Sequence, residues 1–202
     1  ENFFPTISFS RVISIFRGLG YSGQVSTSLA KLCCLDNVLP QGAPTSPSLS
    51  NIVCKRLDEK LERFAIESGL RYTRYVDDMC FSGGEIKKHT LDEIEKIVSS
   101  EGFRTNKSKT HLHAPRSNLK LVTGVNVALG KMSLPKSYKR AISTDLFHIE
   151  KYGLRSHLAK RKIRDPNYIE ALVGKVGYWL FIEPENKRAQ HYKQVLAQFV
   201  NI

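Results

Sequence analysis

No apolar run in the 202-residue sequence approaches the roughly 20 residues that a membrane-crossing helix requires. Nor does a charged-then-apolar leader ending in small residues open it, so a secreted or membrane-spanning protein is disfavoured. Cysteine is scarce: Cys33, Cys34, Cys54 and Cys80 include one adjacent pair and no C-x-x-C spacing. That argues against a zinc ribbon or a disulfide framework, and for reduced thiols in a cytosolic protein. Internal repeats and low-complexity stretches are missing, which removes solenoids and flexible linkers. Acidic residues are the minority charge, with 19 Asp+Glu against 31 Lys+Arg, leaving a net charge of +12 and a pI near 9.6. Polyanions are therefore the expected partners. With 41% hydrophobic and 25% charged residues, an ordinary buried core is within reach and intrinsic disorder is not expected. His111 and His113 could share one face of a strand, but no Cys or carboxylate pattern completes a metal site around them. The chain opens at Glu1 without Met and already in apolar sequence, as a piece of a longer polypeptide would.

The remaining pattern reads as one compact body followed by a helical tail. Phe9, Val12, Ile13 and Phe16 fall at helical spacing, with Ser8 as N-cap and Gly18 and Gly20 as stop signals. The segment Phe3 to Ile7 reads as a strand or turn edge ahead of that helix. From Ser48 to Ser68 the apolar positions Leu49, Ile52, Val53, Leu57, Leu61, Phe64 and Ala65 predict one long helix, opened near Pro47 and closed by Gly69. Leu70 to Val76 and Met79 to Ser82 are rich in strand formers and predict a tight hairpin with Asp77 and Asp78 at its tip. Leu91, Ile94, Ile97 and Val98 mark another helix, ended by Gly102. Leu119 to Val127, a turn at Gly130-Lys131 and Met132 predict a second hairpin. After Pro135 three helical stripes follow: Tyr138 to Ile149, Ile169 to Leu180 with Asp165-Pro166 as its capping pair, and Tyr192 to Phe199. Trp179 and Tyr178 beside the second stripe read as core. The change of character near residue 134 marks the expected domain boundary.

Asp77-Asp78 is a poor choice for folding alone, because a two-residue hairpin turn favours Gly or Asn in the left-handed region. Adjacent carboxylates repel unless cations neutralise them, and oxygen donors of this kind suit hard divalent ions such as Mg²⁺ held together with substrate phosphates. A bare Asp-Asp pair is more often a solvated turn, so its context decides. That context is Leu39-Pro40-Gln41-Gly42-Ala43-Pro44-Thr45-Ser46-Pro47, a rigid small-residue turn whose backbone a nucleotide could approach closely.

Phe3-Phe4-Pro5, the 39–47 segment and Tyr75-Val76-Asp77-Asp78, in this order and spacing, resemble reverse transcriptases. The likeness continues through a lysine-bearing stretch at 106–110 and Val122-Thr123-Gly124 into the helical tail, and within the family it looks most like the bacterial retron enzymes. The resemblance implies an α/β (α+β) fold: a right-hand polymerase palm with an antiparallel sheet and flanking helices, part of the fingers, and a helical thumb. Residues 1–133 would be palm with fingers at roughly 17–40, and residues 134–202 thumb. The N-terminal fingers and the start of the palm would lie upstream.

The same resemblance implies roles residue by residue. Asp77 and Asp78 match two of three aspartates that bind two Mg²⁺ ions, with Mn²⁺ as a substitute, and the third would stand two positions before Glu1. The 202-residue segment by itself is accordingly expected to lack useful polymerase activity. Phe4 matches the aromatic residue that excludes a 2′-hydroxyl, with Phe3 beside it in the core. Gln41, Gly42, Ala43 and Pro44 match the pocket for the incoming nucleotide and template. Lys109 matches the lysine near the triphosphate, a candidate proton donor to the leaving group, with Lys107 as a neighbouring alternative. Thr123, Gly124 and Val125 match the primer grip, and the basic cluster Lys160, Arg161, Lys162 and Arg164 lies where the thumb would meet phosphates. The function implied is RNA-directed DNA synthesis on a structured RNA template and primer, with dNTPs as substrates and the DNA product bound, in the bacterial cytoplasm and away from membranes. For a retron it would make multicopy single-stranded DNA in antiphage defence, with an effector protein as a further partner. A group II intron or other defence-associated reverse transcriptase is the alternative, and a non-catalytic RNA-binding polymerase-fold module is the alternative of another class.

Overall fold

Ser8 has extended backbone and Gly20 a positive φ of 91°, and between these two breaks Phe9–Gly18 coils into helix α1, burying Val12. The computed structural model describes residues 3–84, 86–114 and 117–199. These gather into two compact units, Glu1–Leu112 and His113–Ile202, each with its own core. Among the described residues the architecture is α+β, with two small antiparallel sheets and helices. No helix among the described residues is long and apolar enough to cross a membrane.

In the first unit the segment before α1 is a 3-10 turn, Phe4–Thr6, rather than a strand: Pro5 presets its φ and Thr6 Oγ donates to Phe3 O at 2.6 Å. Ser8 alone forms an antiparallel bridge, to Val38. Helix α2, Gly23–Cys33, starts at Ser22, whose hydroxyl accepts from Val25 N. The long helix expected over 48–68 is two helices, α3 at Ser46–Val53 and α4 at Lys55–Glu67, joined at Cys54. The ψ of Cys54 is −1°, well off the helical value of about −42°. Leu49, Cys54, Leu57 and Leu61 from this pair are buried with Ile7, Val12, Ala30, Leu39, Ile94, Val98 and Phe103. Each large aliphatic side chain there contributes about 1.5–3 kcal/mol of burial. Burial also pushes the Cys54 thiol up to about 11. Gly69, at φ +67°, turns the chain into strand β1, Leu70–Tyr75, which pairs antiparallel with β2, Asp78–Gly83. Helix α5, Lys88–Ser100, follows, ended at Gly102.

In the second unit β3, Leu121–Val122, pairs with β4, Val125–Asn126, across Val122↔Val125. Thr123 and Gly124 are thus the turn, with φ of 46° and 84°, the double left-handed signature of a type I′ hairpin. They were expected as strand. The turn expected at Gly130-Lys131 does return the chain, since Asn126 and Ser133 exchange backbone hydrogen bonds at 2.8 Å. Helices α6, Lys136–Tyr152, α7, Leu154–Arg161, α8, Tyr168–Ile182, and α9, Lys187–Ala197, complete the unit. Helix α8 begins two residues later than the expected Asp165-Pro166 cap: Asp165 instead accepts from Asn167 N at 2.9 Å, closing the turn ahead of the helix. Trp179 is buried in the core, whereas Tyr178 is exposed and meets Tyr138 edge-on. The helices begin at residue 136, near the expected change of character. The units nevertheless divide at 112/113, because Val125 and Leu134 share one core with Ile142, Leu146, Leu172 and Trp179.

Candidate active site

The first unit's hairpin closes with Tyr75 opposite Asp78, so its two-residue turn is Val76-Asp77. The sequence placed both aspartates at the tip; instead Asp77 is in the turn and Asp78 is the first residue of β2. Val76 has a φ of +56°, a region that a β-branched residue enters only under strain. Both carboxylates are solvent-exposed, and among the described residues neither side chain is held in a hydrogen bond or ion pair. Adjacent, unneutralised oxygen donors at the junction of a strained turn and its strand are what a hard divalent cation would meet. No cluster of three potential metal-ligating side chains occurs among the described residues, so Asp77 and Asp78 stand there as a pair of donors.

A guanidinium anchors the turn from behind. Arg74, on β1, donates from Nε and NH2 to the two oxygens of Asp58 on α4 at 2.8 and 2.6 Å. Its NH1 donates to Asn51 Oδ1 on α3 at 3.1 Å and to Val76 O at 2.8 Å. Tyr72 adds a hydroxyl donation to Asp58 at 2.8 Å. Burial pushes the Asp58 carboxyl up, but the hydrogen bonds from Arg74 and Tyr72 outweigh it and hold the group below its ordinary range. Burial and the same carboxylate hold the Tyr72 hydroxyl well above its ordinary value. Arg74, Asp58 and Asn51 had not been singled out in the sequence. Arg74 stands two residues before the turn, but nothing in the spacing shows that Asp58, sixteen positions earlier in chain, faces it.

The proline-rich loop leads into α3, the helix that carries Asn51. Ser46, fully buried, donates from its hydroxyl to Pro40 O at 2.7 Å and from its backbone N to Ala43 O at 3.2 Å, which folds residues 40–46 into a compact bend. Gly42 occupies φ +85°, where a side chain would be strained. Gln41, Gly42 and Pro44 are exposed and Ala43 half-buried. Leu39 N donates to Ile7 O at 3.1 Å and Ile7 N to Phe4 O at 2.9 Å, so the loop is tied to the turn that carries Phe4. Phe4 is half-buried against the core, and Phe3 packs on Phe103 with ring centroids 5.6 Å apart. The structure therefore links the Phe4 turn, the 39–47 loop and the aspartate hairpin through backbone bonds and the α3–α4 pair.

Lys109 lies in a 3-10 turn, Lys107–Lys109, capped by Asn106, whose Oδ1 accepts from Ser108 N at 3.0 Å. Lys109 is exposed, whereas Lys107 points to Glu95 on α5, with Nζ 3.4 Å from Oε2. In the second unit Thr123 and Gly124 form their turn with Val125 buried beneath. Asn126 secures the base of that hairpin, its Oδ1 accepting from Lys120 N at 2.8 Å. The basic cluster is exposed, but Arg161 is committed to Asp145 at 2.6 Å.

Residues 4–164 match the family model described as reverse transcriptase (RNA-dependent DNA polymerase). The chain is 39% identical over 151 residues to the Retron Ec86 reverse transcriptase of Escherichia coli, covering 74% of this chain and 47% of that protein. It is 36% identical over 149 residues to the Retron Mx65 reverse transcriptase of Myxococcus xanthus, covering 63% and 34%. Over 219 residues it is 26% identical to the Retron Mx162 reverse transcriptase of the same organism, covering 94% and 44%. The chain thus spans about half the length, or less, of these relatives.

Proposed function

The chain belongs to the reverse transcriptase family, and from that membership we propose that it carries the catalytic hairpin of an RNA-directed DNA polymerase. The observation that carries this reading is the pair of exposed, unneutralised carboxylates at a turn and the first residue of the strand after it, the turn being one that a valine enters at φ +56°. Asp77 and Asp78 would hold two Mg²⁺ ions, Mn²⁺ substituting, with a third carboxylate from upstream sequence. When bound, such ions lower the pKa of the attacking 3′-hydroxyl and neutralise charge on the leaving pyrophosphate.

The protein's own groups then have separate tasks. Gly42 lets the backbone of the 40–46 bend approach a nucleotide without a side chain intervening, and Gln41 offers both a donor and an acceptor. Phe4 presents an aromatic face where a deoxyribose would lie and a 2′-hydroxyl would not. Lys109, exposed and not paired among the described residues, is available to the triphosphate, whereas Lys107 is engaged with Glu95. The Thr123-Gly124 turn holds a primer end through backbone groups. Residues 134–202 act as thumb, with Lys160, Lys162 and Arg164 free to reach phosphates while Arg161 braces α6.

Relatives named as retron enzymes favour a retron over an intron or other defence-associated reverse transcriptase. The template would then be a structured RNA that also supplies the primer, the product multicopy single-stranded DNA, and the setting bacterial antiphage defence with an effector partner. The test is to express the full-length protein with its neighbouring locus and sequence the DNA made. DNA joined to a structured RNA, formed with Mg²⁺ and lost in Asp78→Asn, is the expected result. DNA copied from an intron transcript would overturn the retron reading, and a protein that binds RNA but extends nothing would overturn the polymerase reading.

A further inference from the structure

We propose that Arg74 is a positioning residue for the reaction, clamping the carbonyl of Val76 against α3 and α4 and so fixing the direction in which Asp77 and Asp78 project. This rests on the reading that those aspartates hold the metal ions.

The β1–β2 ladder ends at Tyr75↔Asp78, so the carbonyl of Val76 lies beyond the last paired residues and the ladder does not orient it. That carbonyl and the amide of Asp77 belong to one planar peptide group. Holding the oxygen therefore sets the plane from which the Asp77 Cα–Cβ bond departs, and Asp78 follows one residue on. Arg74 NH1 donates to this oxygen at 2.8 Å. The backbone here is one that needs holding, because Val76 stands at φ +56°, where a β-branched residue is strained unless its surroundings fix it.

The anchor at the other end is firm. The Arg74 side chain is only 7% exposed. Its planar fork meets Asp58 through two parallel hydrogen bonds, a geometry that a lysine cannot reproduce. NH1 is steadied in addition by Asn51, at 3.1 Å. Arg74 thus spans three elements, with α3 and α4 on one side and the turn carbonyl on the other. With Nε, NH1 and NH2 all engaged, the guanidinium is committed to the protein, which makes it a brace for the aspartates and not a group that touches substrate.

The test uses full-length protein on a primed RNA template, titrated with Mg²⁺, together with amide hydrogen exchange of the metal-free protein. Arg74→Lys should raise the half-saturating Mg²⁺ concentration about tenfold, as loss of a residue that orients metal ligands does, with little change in KM for dNTP. Amides at residues 76–78 should exchange faster, while those of α4 and the start of β1 stay protected. Asn51→Ala, at an exposed position, should move both readings the same way by less, and it stands as the test if Arg74→Lys does not fold. Unchanged hairpin exchange, or an unchanged Mg²⁺ requirement in a parent that is active, would overturn the proposal. So would loss of protection spread equally over α4 and β1 in both variants, which would make Arg74 a fold-stabilising residue only. If the parent itself extends no primer, the proposed function falls, and the exchange measurement alone then decides whether the clamp exists.

Discussion

Asp78 leaves its strand opposite Tyr75, whereas Asp77 leaves from the turn, so the two carboxylates start from differently constrained backbone. Neither contributes an ion pair to the fold among the described residues, and their like charges oppose each other. Asp77→Asn and Asp78→Asn should therefore each cut primer extension by about 10²–10³-fold, several kcal/mol of transition-state stabilisation. The melting temperature should stay level or rise slightly, and a thermal scan beside the extension assay separates the two effects. Phe4 is braced by the neighbouring Phe3 ring 5.6 Å away and by its 3-10 turn. Phe4→Ala should raise the ratio of ribonucleotide to deoxyribonucleotide incorporation, measured by competing rNTPs with dNTPs, and an unchanged ratio would remove Phe4 from the sugar site. At this scale the run of strand formers located the hairpin around Asp77-Asp78 but put Asp78 in the turn, where the structure pairs it with Tyr75. The sequence was silent on Asp58 and Asn51, because a hydrogen bond across sixteen or twenty-three residues leaves no periodic trace.

Hairpin β1–β2 and helices α1, α5, α6 and α9 were legible because their apolar residues repeat at strand or helix period. The break at Cys54 was not, since Leu49, Leu57 and Leu61 keep one helical register through it and only the backbone registers the interruption. Helices α2 and α7 were also missed. Residues LRSHLAKR of α7 carry few apolar positions and bury only His157, whereas α2 has Val25, Leu29, Leu32 and Cys33 at helical spacing but buries only Ser26 and Ala30. His157 is the group through which pH should act on α7. Its ring nitrogen meets Tyr168 OH at 2.8 Å, and burial lowers its pKa, opposed by Asp145 at 3.9 Å and aided by Arg161 and His148. A histidine with a depressed folded-state pKa contributes stability above its unfolded value, near 6.5, and loses it as pH falls through the folded value. The melting temperature of the helical unit should accordingly drop as pH is lowered below about 6.5. In His157→Gln that dependence should flatten, and circular dichroism melts across pH 5–8 would check it.

At the scale of the whole molecule, two separate cores explain why the sequence reads as a single body with a tail while the packing divides elsewhere. Composition changes where the helices begin, but Val125 and Leu134 already lie in the helical core. The net charge of +12 is also a property of the whole chain. Binding of a primed RNA template should weaken about a hundredfold between roughly 50 and 200 mM salt, the slope for about four phosphate contacts. Replacing Lys160 and Lys162 together by Gln should reduce that slope by about one for each charge that meets a phosphate. Arg161→Gln should act mainly on stability, since its guanidinium is spent on Asp145. Fluorescence anisotropy across a salt series measures the first two, and a thermal melt of Arg161→Gln the third.

The joint between α3 and α4 leaves one thiol sealed inside the first core while Cys33, Cys34 and Cys80 are each partly open to solvent. A maleimide label would therefore tag those three on the intact molecule and reach Cys54 only when the surrounding helices part. Its rate of modification is a built-in clock for breathing of the scaffold beneath the aspartate hairpin, readable by mass spectrometry without any engineered probe.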